Sequence, residues 1–173
     1  GHPQFMPSTF VKYAKDGNGD NVIDLWNSVS DALTSAANYL NKLGWNSDLA
    51  WGAKVQLPSD FKYEITGLDV KKRVAKWVNL GVEITGKSFP PNIRTSIILP
   101  VGHKGPAFLI TENFRHMLAW NRSINYALVT ALLSDELVDI SVSYLELEEE
   151  ELKRDEIIEI QGMLKEMKMQ KVK

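Results

Sequence analysis

Asp16, Asn18, Asp20, Asp24 and Asn27 set oxygen-bearing side chains at positions one, three, five, nine and twelve of a twelve-residue stretch. This is the donor rhythm of an EF-hand-type loop, where the seventh position adds a backbone carbonyl, here that of Val22. A hard cation needs many oxygens around it, and only a tightly turning loop gathers them from so short a segment. Two residues depart from the pattern. Position six is Asn21 rather than Gly, although Asn tolerates the left-handed turn required there. Position twelve is Asn27 rather than Glu, which removes the bidentate carboxylate and lowers the charge of the site. The expectation is a structural Ca2+ ion of weak-to-moderate affinity, with Na+ as an alternative occupant. The competing reading of the same residues is an Asp/Asn/Gly-rich surface turn without metal.

Other reactive constellations are missing. His2, His103 and His116 are scattered without a metal-binding spacing, and Ser123 has no nucleophile elbow around it. Glu83, within Gly81–Gly86, reads as part of a solvated turn after the Trp77 helix rather than as a general acid. Tyr39, Trp45, Trp51, Trp77 and Trp120 read as core before ligand platform. No Gly-rich loop precedes a helix in a phosphate-binding arrangement. Cysteine is absent, which excludes disulfides and thiolate sites. The net charge is −2, and ten of the 22 acids fall in residues 139–173, leaving a body too weakly basic to imply nucleic acid. No apolar run approaches a membrane span.

The elements that must position these residues follow from spacing and punctuation. Ser8 is the expected N-cap of a short helix leading into the loop. Ser28 and Asp31 form a capping box for a second helix, with Val29, Leu33, Ala36, Leu40 and Leu43 on one face and Gly44 as its stop. Phe61–Ile65, Thr95–Leu99 and Ala107–Ile110 read as strands, separated by Gly and Pro. Asp69 is the expected cap of a helix carrying Val70, Val74, Trp77 and Val78 and ending at Gly81. Residues 111–138 return to helix, with Phe114, Met117 and Leu118 on one face, a break at Trp120–Ser123, then Ile124, Leu128, Ala131 and Leu132. A polar Asn-Arg-Ser step between two helices is a natural place to aim side chains into a cleft. From Glu146 an acidic run leads into an amphipathic pattern over Ile157, Ile160, Met163, Leu164 and Met167.

Gly1-His-Pro-Gln-Phe-Met-Pro-Ser-Thr9, followed closely by the loop ending Leu25-Trp26-Asn27, resembles the membrane-bound lytic murein transglycosylase B family. Asn113-Phe-Arg115 and Trp120-Asn-Arg-Ser-x-x-Tyr126-Ala-Leu128 agree with it. So do Phe61, Trp77-x-x-Leu80-Gly-Val82, Leu99-Pro100 and Gly105-Pro-Ala-Phe-Leu109. The likeness runs in consistent order from residue 1 to about 138. It implies an α+β, mainly α fold: a lysozyme-like helical core with a small inserted antiparallel β subdomain and one EF-hand-like loop. On this division, residues 1–46 and 111–138 belong to the core and 47–110 to the β subdomain. Residues 139–173 are then an acidic linker and the cut-short first helix of a peptidoglycan-binding domain.

The implied activity is cleavage of the MurNAc–GlcNAc β-1,4 bond of peptidoglycan in the periplasm, leaving 1,6-anhydromuramyl ends. In the family a single Glu protonates the leaving oxygen and then assists attack by the sugar's own 6-hydroxyl, so no second carboxylate is needed. No Glu here has the matching surroundings, and the acid is expected upstream of Gly1, where a lipid anchor would also lie. Carried over by position, Gln4 and Asn121 hydrogen-bond the sugar, Tyr39 and Tyr126 line the cleft, and Trp120 stands where a cleft aromatic belongs. A non-catalytic glycan-binding scaffold and a calcium-binding interaction module are the alternatives. A lysozyme-like core lacking a part would expose apolar faces of the helices at 29–43 and 124–133.

Overall fold

Two short apolar runs make the centre of the molecule. In the computed structural model, which describes residues 1–139, Arg94–Ile98 forms β4 and Ala107–Ile110 forms β5. They pair antiparallel with Ile97 opposite Leu109. The sheet order is β2-β4-β5-β1-β3, with β1 at Gly52–Gln56, β2 at Lys72–Arg73 and β3 at Glu83–Ile84; every pairing is antiparallel. Ile98, Phe108 and Ile110 pack with Trp51 against Phe114 of α4 (Glu112–Trp120) and Ala127, Leu128 and Ala131 of α5 (Ile124–Asp139). Ile97, Ala107 and Leu109 join Val55, Phe61, Val82 and Trp77, the last on α3 (Val74–Asn79). Both faces of β4 and β5 are therefore covered, which is why they are buried without alternation from Thr95 to Ile98 and from Ala107 to Ile110. Asp135 ties α5 to the sheet region, accepting from Trp51 Nε1 at 3.0 Å and from Lys87 Nζ at 2.6 Å.

Several expectations are met. The second helix, α2 (Val29–Leu43), begins at Ser28, whose hydroxyl accepts from the Asp31 N–H, and ends at Gly44 with φ of 101°. The break between α4 and α5 falls at residues 121–123. The α3 helix is closed at Gly81 (φ 81°), with Val82 N–H donating to Trp77 O and Gly81 N–H to Val78 O, a Schellman arrangement.

Others are corrected. Phe61–Ile65 is not a strand: Phe61 is buried beside Trp77, and Tyr63–Ile65 is a 3-10 turn. The α3 helix starts at Val74 rather than after Asp69, because Lys72 and Arg73 are held in the sheet opposite Thr95 and Arg94. The cap of α1 (Pro7–Tyr13) is Met6, not Ser8; Pro7 occupies the first turn, where its fixed φ and missing N–H cost nothing. Strand β1 was hidden by Gly52 and two polar residues. A Cβ at Gly52 would meet Leu109 O at 2.2 Å, so the close strand approach requires glycine. On α2, Val29 and Leu33 are exposed, as expected of the apolar face of this helix, while the buried residues are Asp31, Ala32 and Ser35. The amphipathic pattern beyond Glu146, with the acidic run before it, lies outside the described residues.

Candidate functional site

The EF-hand-like stretch closes on itself through its own side chains. Asp16 accepts from the N–H groups of Gly19 at 2.6 Å and Asn21 at 2.8 Å; Asp20 accepts from Val22 N–H at 2.8 Å. Asn21 takes φ of 67°, so it performs the left-handed turn expected of position six. At the exit, Asp24 accepts from the Asn27 side-chain amide (2.8 Å) and from the N–H groups of Trp26 and Asn27. The Asn27 amide, helped by these backbone donors, holds the Asp24 carboxyl below its ordinary pKa.

Among the described residues no three acidic, histidine or cysteine side chains gather to hold an ion by themselves. The candidate donor set is mixed, with two amides and one backbone carbonyl beside Asp16, Asp20 and Asp24. Its oxygen-only chemistry and its turn at Asn21 fit Ca2+.

What fastens this loop is a polar stripe on α2 that spacing alone did not single out. Asp31, fully buried, accepts from Gly17 N–H at 2.9 Å and from Asp24 N–H at 2.8 Å. Those donors, Asp24 N–H first, depress its pKa. One and two turns on, Ser35 accepts from Lys15 N–H and donates to Lys15 O, and the Asn38 amide donates to Tyr13 O at 2.7 Å. Residues 31, 35 and 38 share one helix face. They partner backbone groups of Tyr13, Lys15, Gly17 and Asp24, beside those the loop's own carboxylates hold. Gly17 lies so close that a Cβ would meet Ser30 O at 2.4 Å.

The N-terminal segment is fastened in turn. His2 N–H donates to Leu25 O at 2.9 Å. Phe5 packs 5.6 Å from Tyr39 and 5.3 Å from Trp120; Tyr39 stands edge-on to Trp120 at 5.2 Å and to Tyr13 at 4.9 Å. This aromatic cluster joins the first residues, α1, α2 and the end of α4. The α4 helix is held by its own start: buried Asn113 accepts from Asn46 N–H and donates to the Asn46 and Leu49 carbonyls, while Arg115 donates to Leu68 O and Ser96 Oγ.

The result is a pocket of about 340 Å³ lined by His2, Pro3, Gln4, Trp120, Asn121 and Tyr126. Four of the five residues expected to contact a glycan, Gln4, Trp120, Asn121 and Tyr126, meet there. Tyr39 does not line it; it backs Trp120 and donates weakly from its hydroxyl to Ala119 O at 3.4 Å.

Gln4 has φ of 53°, a region that a non-glycine residue enters at a cost. Its Nε2 donates to Gly1 O at 3.0 Å, and among the described residues nothing donates to its Oε1. Asn121 is the reverse: its Oδ1 accepts from Ser123 N–H at 3.0 Å, and among the described residues its amide hydrogens have no acceptor. An acceptor, a donor and two aromatic side chains thus surround one volume that holds no carboxylate. Glu83 is elsewhere, exposed on the edge strand β3.

A profile of the Transglycosylase SLT domain family matches residues 1–135. Over 75 residues the chain is 43% identical to the membrane-bound lytic murein transglycosylase B of Escherichia coli (strain K12), covering 39% of this chain and 20% of that protein. A crystal structure of SltB3 from Pseudomonas aeruginosa in complex with NAG-anhNAM-pentapeptide superposes with a TM-score of 0.74 and 41% identity, over 79% of this chain and 37% of the other. The Escherichia coli lytic transglycosylase Slt35 in complex with calcium superposes with a TM-score of 0.66 and 26% identity, over 80% and 43%. The chain therefore spans less than half the length of each of these relatives.

Proposed function

Because this chain belongs to the transglycosylase SLT domain family, we propose that it supplies glycan-holding walls of a peptidoglycan lytic transglycosylase in the bacterial cell envelope. The parent enzyme cleaves the MurNAc–GlcNAc β-1,4 bond and leaves 1,6-anhydromuramyl ends. The observation that carries this reading is the meeting of Gln4 with Trp120, Asn121 and Tyr126 around one pocket, from opposite ends of the matched region. An N-acetyl group presents one carbonyl and one N–H. The amide of Asn121 and the carbonyl of Gln4 complement that pair, and the aromatic side chains offer faces for a sugar ring. A site built to hydrogen-bond such a group discriminates strongly against sugars lacking it.

Cleavage also needs a proton on the leaving oxygen. With no carboxyl among the pocket residues, their assigned work is binding and orientation, and the general-acid Glu of the family is assigned to a part of the parent enzyme outside residues 1–173. The helices belong on this reading to a lysozyme-like core, with the strands between Gly52 and Ile110 as its β subdomain. Among the described residues no helix is long and apolar enough to cross a membrane.

Asn121→Ala is expected to weaken retention of the protein on purified murein about three- to tenfold, the scale of one lost hydrogen bond. Retention equal to that of the unaltered chain would remove Asn121 from the site. Release of anhydro-muropeptides from sacculi by this chain alone would overturn the assignment of the acid to another segment.

The loop is assigned a structural Ca2+, held by Asp16, Asn18, Asp20, Asp24, Asn27 and the Val22 carbonyl. The ion would neutralise the loop's carboxylates and stiffen the connection between the Gln4 segment and α2. Millimolar Ca2+ is expected to raise the melting temperature by a few degrees relative to chelator, since an ion that binds only the folded chain must stabilise it. Asp20→Ala should abolish the rise. A melting temperature indifferent to Ca2+ would leave the loop as a metal-free turn.

A further inference from the structure

The loop read as a calcium site and the pocket read as a glycan site meet at one residue, Leu25. It directly follows Asp24, the ninth position of the loop, and it is buried. Asp24 fixes it from both sides, donating its N–H to Asp31 and accepting from the Trp26 and Asn27 N–H groups with its carboxylate. Leu25 O accepts from His2 N–H at 2.9 Å. Gly1 lies against the same backbone, so closely that a Cβ there would overlap Leu25 O. Gly1 O in turn accepts twice from Gln4, from its N–H and from its Nε2, each at 3.0 Å. Gln4 thereby holds the left-handed backbone, φ 53°, with which it lines the pocket. A non-glycine residue keeps such a conformation only where its surroundings over-determine it. The opposite wall is fastened differently: Trp120 and Asn121 end α4, whose start is held by Asn46, Leu49, Leu68 and Ser96.

We infer that Ca2+ in the Asp16–Asn27 loop tightens glycan binding in the Gln4–Asn121 pocket, with Gly1 and Leu25 as the positioning residues between the two. The inference rests on the glycan and calcium readings above. An ion drawn in by Asp24 restricts residues 24–27, and Leu25 lies within them. Restricting Leu25 restricts Gly1 and His2, so the chain meets the glycan with Gln4 already in its pocket-lining conformation. A first ligand that fills the competent state in advance raises the apparent affinity of the second. By linkage the effect is reciprocal: bound glycan must tighten Ca2+ by the same factor. Asn27 in place of a position-twelve carboxylate keeps the ion's affinity modest, so the loop responds to changes in Ca2+ rather than staying filled.

The test measures the Kd of the full chain for soluble glycan strands prepared from purified murein, in millimolar Ca2+ and in chelator. Both are measured well below the melting temperature. Ca2+ is expected to tighten binding about fivefold, the lower end of ordinary coupling between two sites. Asp20→Ala should remove the factor, and saturating strands should raise Ca2+ affinity by the same amount in a calcium titration. Gly1→Ala separates the two sites: the melting temperature should still rise with Ca2+ while the factor falls toward one. Asn121→Ala is the opposite control, weakening binding in both conditions and leaving the factor intact. An ion that only stabilises the fold would move the melting temperature and leave Kd equal in Ca2+ and chelator; that result overturns the inference. So does a factor that survives Gly1→Ala, because the coupling would then run by another route. If melting temperature and Kd are both indifferent to Ca2+, the calcium reading falls first and this one with it. If the strands bind in neither condition, the glycan reading falls instead.

Discussion

Asp31→Ala is expected to lower the melting temperature by about 5–10 °C, well beyond the effect of an ordinary surface change. The carboxylate is fully buried, and both of its oxygens accept from backbone N–H groups, Gly17 at 2.9 Å and Asp24 at 2.8 Å. Removing it leaves two donors without partners and opens a void under the loop. Asp31→Asn tests the same point more finely, because the amide retains the shape and only one acceptor. The pH dependence has a definite sign. Hydrogen bonding holds the folded-state pKa of Asp31 below the ordinary value of 3.8. Its contribution is therefore complete above that value and is lost as pH falls through the lower, folded-state one. The melting-temperature gap between the unaltered chain and Asp31→Asn should be constant near neutrality and should narrow only in strong acid. A gap that stays the same into strong acid would show that the charge of Asp31 is not what holds the loop.

Asp31 also marks the limit of what the sequence made legible. The Ser28 cap, the Gly44 stop and the turn at Asn21 are local devices whose residue types state their conformations, and all three stand as read. Strands β4 and β5 were legible for a related reason: covered on both faces, they carry the β-branched and apolar residues Thr95, Ile97 and Ile98 and the run Ala107–Ile110. Strands β2 and β3, at two residues each, carry no periodic signal, and their partners are distant in sequence. The buried face of α2 was not legible because apolar periodicity assumes that a helix buries carbon. Here α2 buries Asp31 and Ser35 against a neighbouring backbone that has no ladder of its own. The spacing 31, 35, 38 was visible, but its meaning depended on what packed there. The pocket residues came by a different route, from likeness to a family. Only the structure brings Gln4 to Asn121, and it inserts Phe5 and Tyr13 into an aromatic cluster that neither residue announces alone.

Trp120 belongs to both that cluster and the pocket, and Trp120→Ala is expected to weaken retention on murein about thirtyfold, the scale of a central aromatic anchor. Sugar rings bury their carbon faces well on an indole, and Trp120 is only half-buried by the protein, so a face remains for a ligand. The same side chain packs 5.3 Å from Phe5 and 5.2 Å from Tyr39, and its loss must also loosen the Gln4 segment. Comparison variants separate the two effects. Tyr39→Phe keeps the ring behind Trp120 and gives up only a weak 3.4 Å hydrogen bond to Ala119 O, so both melting temperature and retention should stay close to those of the unaltered chain. Phe5→Leu loosens the cluster from a position outside the pocket lining, and should lower the melting temperature more than it lowers retention. Trp120→Phe retains a smaller ring and should recover part of the binding. Retention by Trp120→Ala is to be measured well below its melting temperature, where the folded fraction is near one. If it equals that of Phe5→Leu at matched stability, Trp120 is a packing residue and the sugar has no aromatic floor there. If retention collapses while the chain stays folded, the indole is the surface on which the glycan rests. Gln4 and Asn121 then set which sugar occupies it.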